Sequence, residues 1–301
     1  MENINLNKIN AETLFDSLKE NGINVDEMQQ RTIENKINEI IGYVPKIGVL
    51  GKTGVGKSSL CNALFGSNVC SVNDVASCTR DPQEVTVNIG SENNGITLVD
   101  VPGAGESPER DQEYADLYAK LLPELDVILW VLKADDRAFA ADQNFYENVV
   151  KPHVDDGKPF FFVLNQVDKV EPLRKWNDDA HEPSEEQLVN IEKKIRLVAD
   201  FFHVAPSKII PVSAVEKYNL VTLVNEIVYA VPPEKKITVY RNISEEFRTE
   251  STGQHISDTV SNFLEGFVGN VVDVAVEVIG GFIGGVIKGF LDSLKTIFKW
   301  F

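Results

Sequence analysis

The spacing of apolar positions divides the chain into a helical start, a long middle of short apolar runs alternating with amphipathic stretches, and a strongly amphipathic end. Leu14, Phe15 and Leu18 share one side of a first segment that stops near Asn21-Gly22. Ile33, Ile37, Ile40 and Ile41 share one side of a second that stops at Gly42. A glycine just past the last periodic position is a common helix stop. These two helices either pack as a hairpin against the rest of the chain or offer a surface to a partner. From Pro45 the period changes. The runs 46–50, 96–101, 126–132, 159–164 and 209–212 read as buried strands, and the fully apolar 127–132 suits a parallel sheet covered on both faces. Val85, Val87 and Ile89 alternate as in a half-exposed strand, and Asn93-Asn94-Gly95 is a hairpin-type turn. Helical periods fall at 60–65, 109–122, 141–150, 185–202 and 220–231, the last closed by Pro232-Pro233; 66–81 has no period and reads as a loop. Strands alternating with helices over 44–232 predict an α/β fold with a doubly wound, mostly parallel sheet. The predicted organisation is a helical segment 1–42, a nucleotide-type domain 43–232 and a C-terminal helical segment 233–301.

The end of the chain carries its own signal. Phe263, Leu264, Phe267, Val268, Val271 and Val272 begin a series at helical spacing that runs to Ile297 and Phe298, with Asp273, Glu277, Lys288, Asp292 and Lys295 opposite. A single helix to the terminus would be about 60–70 Å long, unless Gly280-Gly281 and Gly284-Gly285 break it. The uncharged run 278–287 is about half of the roughly 20 residues a membrane span needs. Two readings stay open: residues 255–301 lie on a membrane surface, with Trp300, Phe301 and nearby lysines at the interface, or they pack on the N-terminal hairpin or a second copy of the chain.

Charge narrows the partners. A net charge of −17 opposes broad contact with nucleic-acid phosphates. Three cysteines (Cys61, Cys70, Cys78) without metal-ligand spacing, behind a polar acidic N-terminus, point to a reducing cytoplasm.

The candidate chemistry is centred on residues 45–60, where an apolar strand meets a helix through Gly51-Lys52-Thr53-Gly54-Val55-Gly56-Lys57-Ser58-Ser59. Glycines let successive N–H groups turn toward a phosphate, and the helix start adds its positive dipole end. Lys57 reaches the β- and γ-phosphates, and the Ser58 hydroxyl ligates the Mg²⁺ that bridges them. Lys52 either contacts phosphate or is solvated. Asp100-x-x-Gly103 at a strand end offers a carboxylate to a Mg²⁺ water and an N–H to the γ-phosphate. Thr79, in the loop after the first domain helix, completes the Mg²⁺ shell. Asn165-Gln166-Val167-Asp168 follows a strand, and a carboxylate there accepts both N1–H and N2–H₂ of guanine. Ser213-Ala214 follows the last strand and places a backbone N–H near the guanine O6. Each motif is weak alone; the ordered set, all at the carboxyl edge of a sheet, is specific.

This set resembles the Era/TrmE/septin-like class of P-loop small GTPases, and Asp100-Val101-Pro102-Gly103 with Cys78-Thr79-Arg80 looks closest to the bacterial YfjP/YeeP-like group. The resemblance covers 44–231. It implies a Ras-like G domain, GTP binding, Mg²⁺ dependence and slow hydrolysis to GDP, with loops around Thr79 and 103–108 that order on GTP. Three departures stand out. Gln166 replaces the usual lysine, shortening the stem over the guanine. Ala104 stands where Ras-like enzymes have a water-orienting glutamine, leaving Glu106, a backbone group or a partner for that task; Arg80 is a candidate finger in cis or across a homodimer. Gly54 stands where potassium-activated relatives have asparagine. Two functions follow: a GTP-hydrolysing switch whose helical ends report to a membrane or partner, or a GTP-binding scaffold with negligible hydrolysis whose ends drive self-association.

Overall fold

The computed structural model describes residues 12–20, 22–52, 54–66, 83–87, 96–100, 118–136, 139–273, 285 and 287–289, with only the backbone at 12, 13, 17, 83–87, 96–100 and 141. In chain order the elements are α1 (Glu12–Glu20), α2 (Glu27–Gly42), β1 (Lys46–Leu50), α3 (Lys57–Phe65), β2 (Gln83–Val87), β3 (Ile96–Asp100), β4 (Val127–Lys133), α4 (Ala140–Phe145), α5 (Lys151–Asp155), β5 (Phe160–Asn165), α6 (Glu185–Phe202), β6 (Ile209–Pro211), α7 (Leu220–Ala230), α8 (Pro233–Arg241) and α9 (Glu250–Val272). By contacts they form two units: Val44–Val231 with Asn242–Phe247, and the helices of Met1–Tyr43, Pro232–Arg241 and Arg248–Phe301.

The first unit is a six-stranded sheet in the order β2-β3-β1-β4-β5-β6. Five strands are parallel, and β2 runs antiparallel to β3 at the edge. The apolar runs become strands because both faces are covered: every residue of β5, and β4 as far as Leu132, is buried. Trp130 packs against Phe145, Tyr146 and Phe162, and Phe162 against Phe202, so α4 and α6 are fixed to β4 and β5 by aromatic contacts. Each such ring contributes about 1.5–3 kcal/mol by leaving water. A capping box of Ser184 and Gln187 starts α6, and His203 in the left-handed conformation ends it.

The predicted helix 141–150 differs in form. α4 passes into a π-helical segment, Tyr146–Val150, and then α5, reaching Asp155. Pro152 is accommodated in the first turn of α5, where its missing N–H costs little. The predicted helix 109–122 is described only from residue 118, and the loop 66–81 lies outside the described residues beyond Gly66.

The helical unit buries Leu14 and Leu18 of α1 and the four isoleucines of α2. A capping box of Asp26 and Gln29 starts α2. α2 and α8 pack against α9, which buries Ile256, Val260, Leu264 and Val268. Gln29 Nε2 donates to the Val271 carbonyl at 3.0 Å, and the Lys36 ammonium lies over the Phe263 ring. Packing on the N-terminal hairpin is thus the arrangement of residues 250–272. A single helix from 255 to the terminus is not formed. α9 stops at Asp273, which caps it in the left-handed conformation ahead of the glycine pairs, leaving residues 274–284 outside the described part. Among the described residues no helix is long and apolar enough to cross a membrane.

Candidate nucleotide site

Parallel register brings the ends of β1, β3, β4 and β5 to one edge: Val49 pairs with Asp100, Leu50 with Trp130, and Lys133 with Asn165. The loop from β1 to α3 leaves from that edge. Gly51 has φ 137°, and a Cβ on it would run into the Val131 carbonyl oxygen. Gly56, which caps α3 at φ 91°, leaves the space in which the Asn165 amide lies; a Cβ there would be 2.5 Å from Nδ2. Only glycine supplies this backbone without strain. Lys57 opens α3, and its ammonium donates to the Gly51 and Lys52 carbonyls at 2.7 and 3.2 Å. Ser58 and Ser59 follow in the first turn, half-buried. Val55 is buried and Gly54 exposed.

Asn165, at the end of β5 and 1% exposed, ties three loops together. Its Nδ2 donates to the Val55 carbonyl at 3.0 Å, and its Oδ1 accepts the Ala214 N–H at 3.1 Å. The amides expected to meet guanine O6 are therefore engaged within the chain, Ala214 on Asn165 and Ser213 on the Tyr218 carbonyl. The buried Ser213 hydroxyl donates to Asp168 Oδ1 at 2.6 Å and accepts the Glu216 N–H at 3.2 Å. Ser213 thereby sets the orientation of the carboxylate that the sequence assigns to guanine. Gln166, at φ 63°, donates from Nε2 to the Gly54 carbonyl at 3.2 Å, and the Lys169 ammonium donates to its Oε1 at 2.8 Å. Lys169, three residues on, thus holds the Gln166 amide, a contact the sequence reading passed over.

Lys52 is not the solvated loop lysine of one of its two expected roles. Its ammonium is 2.6 Å from Asp142 Oδ2, on α4, with the Asp142 side chain 2% exposed. Burial pushes the Asp142 carboxyl up from its ordinary value; the Lys52 hydrogen bond and charge pull it back, and Asp136 pushes it up again. Taking a carboxylate out of water costs several kcal/mol, and removing its partner leaves about 3–5 kcal/mol uncompensated. A lone aspartate in a helix reads as a solvated face, so the sequence carried no signal for it.

Asp100 ends β3 at the same sheet edge, with its backbone alone described. Thr53, Thr79, Arg80, Gly103, Ala104 and Glu106 lie outside the described residues. Among the described residues no cluster of three or more His, Cys, Asp or Glu side chains could hold a metal.

A sequence model of the family described as 50S ribosome-binding GTPase matches residues 46–166. The Escherichia coli K12 protein YfjP, itself uncharacterized, is 41% identical over 244 residues, covering 77% of this chain and 79% of YfjP. The chain belongs to the bacterial YfjP/YeeP group of Era-like P-loop GTPases. GTPase Era of Aquifex aeolicus is 31% identical over 207 residues, 66% of this chain and 61% of Era. A crystal structure of Era in complex with MgGDPNP and a segment of 16S ribosomal RNA is 28% identical, covers 63% of this chain and 57% of that one, and has a TM-score of 0.46. The chain thus spans less than two thirds of Era's length. The family is one of GTP-binding GTPases.

Proposed function

We propose that the chain is a Mg²⁺-dependent GTPase that hydrolyses GTP to GDP and phosphate and works as a molecular switch. The observation that carries this is the Asn165 knot, which holds the phosphate loop, the Asp168 loop and the Ser213-Ala214 loop at one sheet edge. On GTP entry Lys57 exchanges the Gly51 and Lys52 carbonyls for the β- and γ-phosphates. Gly51 and Gly56, lacking a Cβ, let the loop lie against the Val131 carbonyl and the Asn165 amide at positive φ. Asp168, held by Ser213, accepts both guanine donors, a pair that adenine lacks. The donor set suits Mg²⁺, a hard cation that takes oxygen ligands: Ser58 in the first turn of α3, with Asp100 and Thr79, would hold it. When bound, Mg²⁺ neutralises charge on the phosphate oxygens. Arg80 and Glu106 are proposed to assist the attacking water in place of the glutamine absent at Ala104, Arg80 from the same chain or across a homodimer.

The alternative is a GTP-binding scaffold with negligible hydrolysis, favoured by Ala104. Multiple-turnover phosphate release decides between them: the switch predicts a Lys57-dependent rate, and the scaffold predicts GTP binding with no release above Lys57→Ala. A rate per molecule that climbs with protein concentration supports the homodimer.

Peripheral membrane contact through residues 255–301 is proposed to require release of Ile256, Val260, Leu264 and Val268, which are buried in the helical unit. Flotation with anionic liposomes in the GTP state alone is the expected result, and flotation in neither state removes the proposal. The family description names ribosome binding; the charge of −17 supports a protein or membrane effector over nucleic acid, and ribosome co-sedimentation that persists at high salt would reverse that choice.

A further inference from the structure

We infer that Asp142 is a positioning residue for the phosphate loop, acting through Lys52. Three observations converge on it. Asp142 is on α4, whose Phe145 ring, with Tyr146 at the start of the π-helical segment that follows, packs on Trp130 of β4, so its carboxylate is attached to a rigid support. That carboxylate is almost wholly buried and faces a lysine inside the loop at 2.6 Å. The backbone carbonyl of the same lysine accepts a hydrogen bond from Lys57. The loop is therefore fastened from two directions. Asn165 and Gln166 hold its Val55 and Gly54 carbonyls from the β5 end, and Asp142 holds its Lys52 end from α4.

The pairing has a second consequence. It cancels the charge of Lys52 and turns it away from the phosphate position, so the cationic contact to the β- and γ-phosphates falls to Lys57. A loop released from Asp142 loses its fixed Gly51–Lys52 backbone, and the N–H groups that meet phosphate are no longer preorganised. GDP then leaves faster.

The proposal rests on the guanine-nucleotide reading above. Its test uses the full chain and GDP carrying a fluorescent ribose label. Replacing both partners by apolar residues, Lys52→Met with Asp142→Leu, removes the anchor without leaving a buried charge, and such exchanges often retain stability. The expected result is a Tm within a few degrees of wild type and a GDP affinity about tenfold weaker, carried mainly by faster dissociation. Asp142→Asn and Lys52→Met alone each weaken GDP to a similar extent, and neither adds to the other, because both cut one tether. Lys52→Arg, which keeps the ion pair, retains wild-type affinity. A double variant that binds GDP as tightly as wild type makes the pair purely structural and overturns the proposal, as do single-variant losses that add. Wild-type protein that binds no GDP overturns the nucleotide reading and this inference together, a different outcome from normal binding in every variant.

Discussion

On the proposed phosphate side of the sheet edge the fixed points are charges: Lys52 on the buried Asp142, and Lys57 on two loop carbonyls. On the base side they are mostly neutral amides and hydroxyls: Asn165 between Val55 and Ala214, and Ser213 orienting Asp168. The difference follows from what each side must do. Triphosphate brings several negative charges, and a cation parked on carbonyls is readily exchanged for them. Guanine brings a pattern of neutral donors and acceptors, and reading it depends on one carboxylate held at a set angle. A charged anchor also fails differently from a neutral one, because losing one partner leaves the other buried and unpaired.

The largest expected break is therefore on the charged side. Lys52→Met lowers stability by about 3 kcal/mol, roughly 6–12 °C in Tm. The groups facing Asp142 are Lys52 and Asp136, while Lys194 of α6 is held on the Asp136 carbonyl. Without Lys52 the folded-state carboxyl pKa, already raised by burial, rises further above its unfolded value. The folded protein then takes up a proton as pH falls before the unfolded chain does. The Tm deficit is full at neutral pH and shrinks as pH falls; a deficit that grows on acidification contradicts the buried ion pair.

Asp168→Asn comes next. Two hydrogen bonds to a charged acceptor at about 1.5 kcal/mol or more each predict roughly a hundredfold loss of GDP affinity, with ADP binding unchanged. An equal loss for both nucleotides would mean that Asp168 supports the loop and does not read the base. The smallest effect sharpens the contrast. Gln166→Lys lengthens and charges the stem over the base at the cost of the Gly54 contact, and tightens GDP about threefold on a cation–π scale of roughly 0.5–1 kcal/mol. Weaker binding would show that the Gln166–Gly54 bond matters more than the stem.

The same contrast explains what the sequence made legible. The strands were readable because β4 and β5 are apolar along nearly their whole length, and α2 because its buried positions are the four isoleucines of one helical stripe. The gathering of Asn165, Asp168, Ser213 and Ala214 at one edge was readable as an ordered motif set, although not the internal use of the Ala214 and Ser213 amides, which depends on loops meeting in space. Asp142 was invisible: one aspartate in a helix becomes a buried partner only once α4 is laid against the phosphate loop. The stop of the C-terminal helix was not legible because apolar periodicity does not register an aspartate in a left-handed cap. Asp273 stops α9 while the pattern continues past it, and Pro232-Pro233 both ends α7 and starts α8.

The most direct measurement is phosphate release from GTP with Mg²⁺ over many turnovers, on wild type and Lys57→Ala, with ATP in parallel. A guanine-specific GTPase predicts release from GTP alone that falls about a hundredfold in Lys57→Ala, the usual scale for removing one positioned donor. Equal release from ATP, or release from GTP that Lys57→Ala leaves unchanged, would contradict it.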